Sequence, residues 1–522
     1  MSVPRFVRKA PIVLAVFLMF AGLVACATSK STKSAGESPT SLTVATSFAV
    51  DDLDPLENGF WGNELGYSEL LMKPQTDGTV KPWLLRSLMN TSPTSWVLTL
   101  NAGITFQDGK PLDAAALVAC LAYQLKENSS ATAALPGATV TATGSNQVTL
   151  TTKAPVPDVP FILGDESFFI IYDQAGYLPA KGSPAKLIAA KLYTGPYVVT
   201  SLTPQIMHTV RNPHYWKGTP ALTSVTVKFI SDAQARILAV QHGEADLALY
   251  PPTAAAKTLT GRNDSYFVTG TPHGPTFDFF LNLHKAPFND ELVRAAVLTG
   301  IDYQQIATQV MNNLYQQATG MYSPKASYAL QTQKTDVQAA GALLDQAGWR
   351  AGPAGMRSKN GVPLTITVLT YPQQPDSGTL AVAIQAQLKK IGVEVSISQV
   401  PDTEAAMKKP TGWDAGVIGD GTTSFSGDPI PPLQEYFATG GANNYGGIAD
   451  PALDELIKKL AVAIDQKASE DLLHRIQQRI SDHAYMGFLG MRLPAVIAGP
   501  AWKGYQVPPA NLWVDATTTA AG

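Results

Sequence analysis

The sequence predicts an α/β protein built from more than one lobe. Three observations carry this expectation. Runs of period-two alternation are interleaved with stretches of helical apolar spacing. Residues 363–400 read strand, helix, strand, the order of a βαβ unit. The 522 residues, 45 % apolar and 15 % charged, exclude global disorder and exceed what one ordinary core holds, so two or three lobes are expected.

The elements follow in chain order. Residues 42–46 alternate and open the fold as a strand, and 95–106 alternate around a turn at Ala102-Gly103. Residues 114–126 read as a helix. Strands are expected at 148–152, 168–172, 197–201 and 225–230. A helix over 233–242 ends at Gly243, because glycine suits the left-handed position after a helix, and a strand through Leu247 and Leu249 follows. Residues 277–283 form an apolar strand. A helix spans 292–311 with a weak point at Gly300, and another spans 336–347 and ends at Gly348. The βαβ run comprises a strand over 363–371, a helix over 378–391 and a strand over 393–400. Asp450-Pro451 supplies an N-cap and a first-turn proline. The helix after it presents Leu453, Leu456, Ile457, Leu460 and Ile464 on one face, and a last helix covers 469–484. No repeat of fixed period occurs.

The chemistry is mostly excluded. A net charge of −3 argues against nucleic-acid binding through bulk charge. Two cysteines exclude a disulfide scaffold and any multi-thiolate zinc site. Cys120 lies in an apolar helical stretch and reads as an inert buried thiol. The seven histidines show no metal-ligand spacing. Ser183-Pro184-Ala185-Lys186 matches a Ser–Lys spacing but has no Lys-Thr-Gly partner. Asp51, Asp52 and Asp54 lack calcium-loop spacing and read as a solvated turn at Asp54-Pro55. Neither a cofactor nor an enzymatic nucleophile is indicated.

The N-terminus carries Arg5, Arg8 and Lys9, then an uncharged run over 10–25. That run is short for a membrane span and fits an export leader over 1–25. It ends Leu23-Val24-Ala25-Cys26, which resembles the bacterial lipobox. There the cysteine sulfur takes a diacylglyceryl group and the chain is cut before it. Two or more acyl chains anchor a protein stably. Loss of the leader leaves 35 basic and 41 acidic side chains, a net −6. An uncleaved anchor and a cleaved leader without lipid are the alternatives. Residues 26–41 read as a flexible tether.

Eight further segments occur in an order that resembles one family. They are 77–84 (DGTVKPWL), 103–112 (GITFQDGKPL), 194–197 (TGPY), 211–216 (RNPHYW), 243–247 (GEADL), 287–296 (PFNDELVRAA), 343–349 (LLDQAGW) and 388–393 (LKKIGV). The chain resembles the peptide/nickel/opine solute-binding proteins of ABC importers, solute-binding protein family 5, from about residue 42 to the C-terminus. Most of these segments report turns and packing; Tyr215 and Trp216 are expected to pack between lobes.

The resemblance implies a periplasmic-binding-protein-like fold (class II, cluster C) with three lobes. A discontinuous lobe would hold 42–54, 186–270 and 485–522, a second 55–185, and a third 271–484. Hinges near 270 and 485 would let two α/β lobes close on a solute. It further implies a monomer, lipid-anchored on the extracytoplasmic face of the membrane, that delivers a solute to permease subunits and is not an enzyme. Peptide is the leading solute, with a nickel or other metal chelate, an opine-like solute or an oligosaccharide as alternatives. A secreted hydrolase and a partner-binding sensor or adhesion lipoprotein are the readings from other classes.

Peptide binders of this family anchor the α-amino group with an aspartate four residues before the proline of an Asp-Pro motif. Here the motif is Asp428-Pro429 and that position is Phe425, with Asp420 as the substitute. The family's nickel-chelate binders use arginines, yet 126–135 and 371–378 contain none. Cleft contacts are therefore expected from Phe60, Trp61, Phe277, Tyr371, Asp420, Phe425 and Tyr445, with Cys26 as the lipidation site and no metal site. The aromatics would offer flat apolar surface to a solute.

Overall fold

Three large sheets organise the chain. The computed structural model describes residues 39–75, 79–270, 276–324, 326–419, 427–508 and 511–520. Cys26, Asp420 and Phe425 lie outside the described residues. No described helix is long and apolar enough to cross a membrane.

The first sheet has seven strands and is centred on Ser41–Thr46. That strand pairs in parallel with Ser224–Phe229 on one side, Val44 opposite Val227, and with Leu247–Leu249 on the other. Parallel neighbours on both sides bury Leu42, Val44 and Ala45, as expected for the centre of such a sheet. The second sheet is antiparallel and four-stranded, in the order Leu85–Ser92, Ser95–Leu100, Gln147–Thr151, Thr139–Gly144. Trp96, Leu98 and Leu100 alternate inward, among the apolar side chains of the helix Ala114–Glu127. These two sheets share one continuous core.

The third sheet has six strands and two cores of its own. Thr365–Thr370 and Glu394–Gln399 are parallel, Thr365 opposite Glu394, and are joined by the helix Asp376–Leu388. The expected βαβ unit is present. Ala415–Gly419 pairs in parallel on the other side of Thr365–Thr370. Thr276–Leu281 and Met486–Arg492 extend the sheet antiparallel.

The chain passes between the first and third sheets twice, between residues 269 and 276 and between 492 and 495. The second passage lies a few residues beyond the expected 485. The two are neighbours: Gly270 N–H donates to Pro494 O at 2.8 Å. Nearby, Asp376 ties the two bodies together. Its carboxylate accepts from Thr253 N–H (3.1 Å), Thr253 Oγ1 (3.0 Å) and Tyr315 OH (3.0 Å). Arg492 lies 3.8 Å from it and donates to Pro251 O at 2.7 Å.

Four local expectations change. Residues 168–172 are buried but join no ladder. The Gln124 amide replaces a neighbouring strand there, donating to Ile170 O (2.7 Å) and accepting from Ile170 N–H (2.9 Å). The helix expected over 292–311 stops after Glu291–Thr299, and a short turn and a π-helical segment, Ile306–Val310, follow. A Cβ at Gly300 would meet Ile391 at 2.8 Å, so the breaking residue is also a packing requirement. Ile464 lies past the end of the helix Pro451–Leu460 and is exposed. Asp54 is buried and not solvated: both its oxygens accept from Tyr177 OH.

The helix cap at Asp450 and the buried thiol stand as expected. Asp450 caps its helix by accepting from Ala452 and Leu453 N–H. Cys120 is fully buried, and burial pushes its thiol up to about 12. Tyr215 and Trp216 both donate to Glu69, which also accepts from Trp83.

Candidate functional site

In open α/β sheets, ligands sit beyond the carboxyl ends of parallel strands, where strand order reverses. The third sheet has one such point. From Thr365–Thr370 the next strand lies to one side and Ala415–Gly419 to the other. A cavity of about 350 Å³ opens there. Tyr371, Gln373 and Gln374 reach it from the loop after Thr365–Thr370. Pro401 and Asp402 come from the loop after Glu394–Gln399, Thr403 and Glu404 from the first turn of the helix that follows, and Ile418 and Gly419 from the end of their strand. Phe280, Tyr436 and Tyr445 complete one wall. Phe48, on the loop after Ser41–Thr46, is the lining residue that the first-sheet body contributes among those described.

The aromatic wall is a mutual cluster. The Phe280 ring lies 5.8 Å from both Tyr436 and Tyr445, and those two meet edge to face at 6.3 Å. Phe48 stacks on Trp61 at 5.3 Å and meets Tyr250 edge-on at 5.0 Å. Such pairs hold rings in fixed orientation. Tyr371 joins two strand ends, its hydroxyl accepting from Gly419 N–H at 3.1 Å. A Cβ at Gly419 would meet Gln374 Oε1 at 2.7 Å and the Phe277 ring at 2.9 Å. A side chain at Gly419 would have to displace both.

The polar lining is acceptor-rich. Asp402 Oδ1 accepts from Ala405 N–H (2.8 Å) and caps the short helix Thr403–Met407. Gln373 Nε2 donates to Pro401 O at 2.9 Å, while its buried Oε1 accepts no hydrogen bond among the described residues. Burial, then the nearby Glu404 carboxylate, pushes the Tyr445 hydroxyl well above its ordinary value. Burial raises the Glu435 carboxyl, against a lowering hydrogen bond from Asn443.

Asp428 plays a different part. It is 2 % exposed, and its Oδ1 accepts from Ile430 N–H at 2.9 Å. Its carboxyl lies close to that of Asp158, which stands before the helix Val159–Ile162. Burial, and then the second carboxyl, drives Asp428 well above the usual carboxylate range, and burial raises Asp158. Two carboxyls in contact favour a shared proton.

Of the expected contacts, the structure brings Tyr371 and Tyr445 to the cavity. Trp61 stands behind Phe48, and Phe60 meets Trp61 edge-on at 5.1 Å. Phe277 is 1 % exposed and faces the core beside Tyr315. Alternation along Thr276–Leu281 puts Phe277 and Phe279 on the core side and Phe280 on the cavity side. Phe48, Phe280, Gln373, Gln374, Asp402, Glu404 and Tyr436 are additions. A search for residues at the carboxyl ends of the βαβ strands finds four of these seven, Gln373, Gln374, Asp402 and Glu404. No three His, Cys, Asp or Glu side chains among the described residues converge as a metal site.

The model of the bacterial extracellular solute-binding proteins, family 5, matches residues 79–444. The chain is 24 % identical over 458 residues to the nickel-binding protein NikA of Staphylococcus aureus, covering 87 % of this chain and 89 % of that one. The NikA structure in complex with Ni(L-His)2 superposes with a TM-score of 0.79 at 22 % identity, over 92 % of this chain and 99 % of that one. A probable di/tripeptide-binding protein of Pseudomonas aeruginosa is 26 % identical over 365 residues, 68 % of this chain and 67 % of its own. The structure of the oligopeptide-binding protein AppA of Bacillus subtilis with a nonapeptide superposes with a TM-score of 0.73 at 22 % identity, over 92 % and 99 % of the two chains.

Proposed function

Because the chain belongs to the bacterial extracellular solute-binding proteins, family 5, we propose that it captures a short peptide and delivers it to the permease of an ABC importer. The observation that carries this reading is the cavity itself. Its volume of about 350 Å³ lies at the small end of ligand pockets, roughly 300–1,000 Å³. It combines ring faces with amide and carboxylate groups that can meet a peptide backbone. The body of the third sheet closes over the solute against the loop that carries Phe48. The hinges lie near residue 270 and at 493–494, and the permease recognises the closed form. The protein works as a monomer outside the cytoplasm, tethered through lipid on Cys26.

Import of a metal chelate is the second reading. The long alignment with a nickel-binding protein favours it. With no convergent metal ligands among the described residues, the metal would enter inside its chelator.

Thermal unfolding with added solutes tests the choice, since a ligand of the native state raises Tm. Di- and tripeptides at a hundredfold excess over Kd stabilise by about 2.7 kcal/mol. A rise with Ni(L-His)2 and none with any peptide would replace the first reading by the second.

A further inference from the structure

We propose that the cavity selects peptides that carry a cationic side chain, an ammonium or a guanidinium. The inference rests on reading this cavity as the solute site and names the chemistry it takes. The described lining holds five aromatic rings and two carboxylates, Asp402 and Glu404, and no Lys, Arg or His. Neither carboxylate forms an ion pair among the described residues. Asp402 is engaged by one backbone N–H. Glu404 lies within hydrogen-bonding reach of Tyr445, but that hydroxyl has a single proton and directs it to Asn443 Oδ1 at 3.0 Å.

Gln373 Oε1 adds a buried acceptor with no donor among the described residues. An occupant that brings donors and positive charge satisfies all three groups. The Tyr436, Tyr445 and Phe280 rings add favourable faces for a cation. An anionic solute would face two like charges in a partly enclosed space, where their field is strongest. The lining thus attracts one charge class and repels the other, which is how discrimination is built.

The test is isothermal titration of the full chain, purified in detergent, with Ala-Lys-Ala, Ala-Ala-Ala and Ala-Glu-Ala. The expected order of affinity is Lys, then Ala, then Glu, with about tenfold between first and last, equivalent to about 1.4 kcal/mol. In the double variant Asp402→Asn, Glu404→Gln the Lys–Glu difference collapses. Asparagine keeps the helix cap, so the variant remains folded. N-acetyl-Ala-Lys-Ala and N-acetyl-Ala-Glu-Ala lack the α-ammonium and should keep the same Lys–Glu difference; a difference that vanishes on acetylation overturns the assignment to the side chain. Binding of all three peptides with equal affinity overturns the charge selection and leaves peptide capture standing. Binding of none overturns peptide capture, and the charge selection falls with it.

Discussion

Replacing Asp376 by alanine removes the carboxylate that joins the first-sheet body to the third. The side chain is 1 % exposed and accepts three hydrogen bonds, two of them from Thr253 across the junction. Truncation leaves Thr253 N–H and Tyr315 OH without their acceptor and takes away the carboxylate 3.8 Å from Arg492. Hydrogen bonds to a charged group contribute about 1.5–3 kcal/mol each, but three on one carboxylate do not add. Removing one partner of a buried ionic pair costs about 3–5 kcal/mol, and we take that as the magnitude. Unfolding entropy of roughly 2.1 cal/mol/K per residue gives about 1 kcal/mol/K for a chain this long, so Tm falls by about 3–5 °C. Asp376→Asn keeps one acceptor for Thr253 and falls by less than half as much. Differential scanning calorimetry of both variants at one pH reads the effect. A Tm for Asp376→Ala within 1 °C of the wild type would refute the assignment of Asp376 as the tie between the bodies.

Three other outcomes follow from the same geometry. Folding raises the Asp158 and Asp428 carboxyls above their unfolded values. Their contribution to stability is therefore fully present below the unfolded value of about 3.9 and lost as pH climbs through the raised folded values. A Tm series from pH 4 to 8 should show Asp428→Asn less sensitive to pH than the wild type and more stable than it at pH 8; parallel curves would contradict this. Gly419→Ala drives a methyl into Gln374 and Phe277 and should cost about 1–3 kcal/mol by urea unfolding, with solute binding weakened; an unchanged midpoint would refute the close packing of the cavity floor. Cys26→Ser should move the protein from the membrane to the soluble fraction, as read by fractionation and immunoblot; an unchanged distribution would refute lipid anchoring.

Much of the architecture is legible in the residues because it is local. Asp450-Pro451 announces a helix start through cap and ring geometry, and the βαβ run announces itself by a change of period within one stretch of chain. Residues 168–172 mislead because a side-chain amide, that of Gln124, substitutes for a sheet partner over forty residues away. Phe277 misleads for a related reason. Its strand is covered on both faces, Asp278 being as buried as Phe277 and Phe279, so polarity does not mark the cavity side and only the sheet's surroundings decide which parity faces it. Asp402 and Glu404 look like an ordinary cap and a solvated first turn. Their role depends on the loop being brought beside Tyr371 and Tyr445 by strand order, which no short motif encodes.

Native mass spectrometry of the protein purified from its host, before and after unfolding and refolding, tests the central claim most directly. The account predicts a ladder of short peptide adducts, enriched in lysine and arginine, that disappears on refolding. A single sharp adduct containing metal, or adducts that are uniformly acidic, would contradict it.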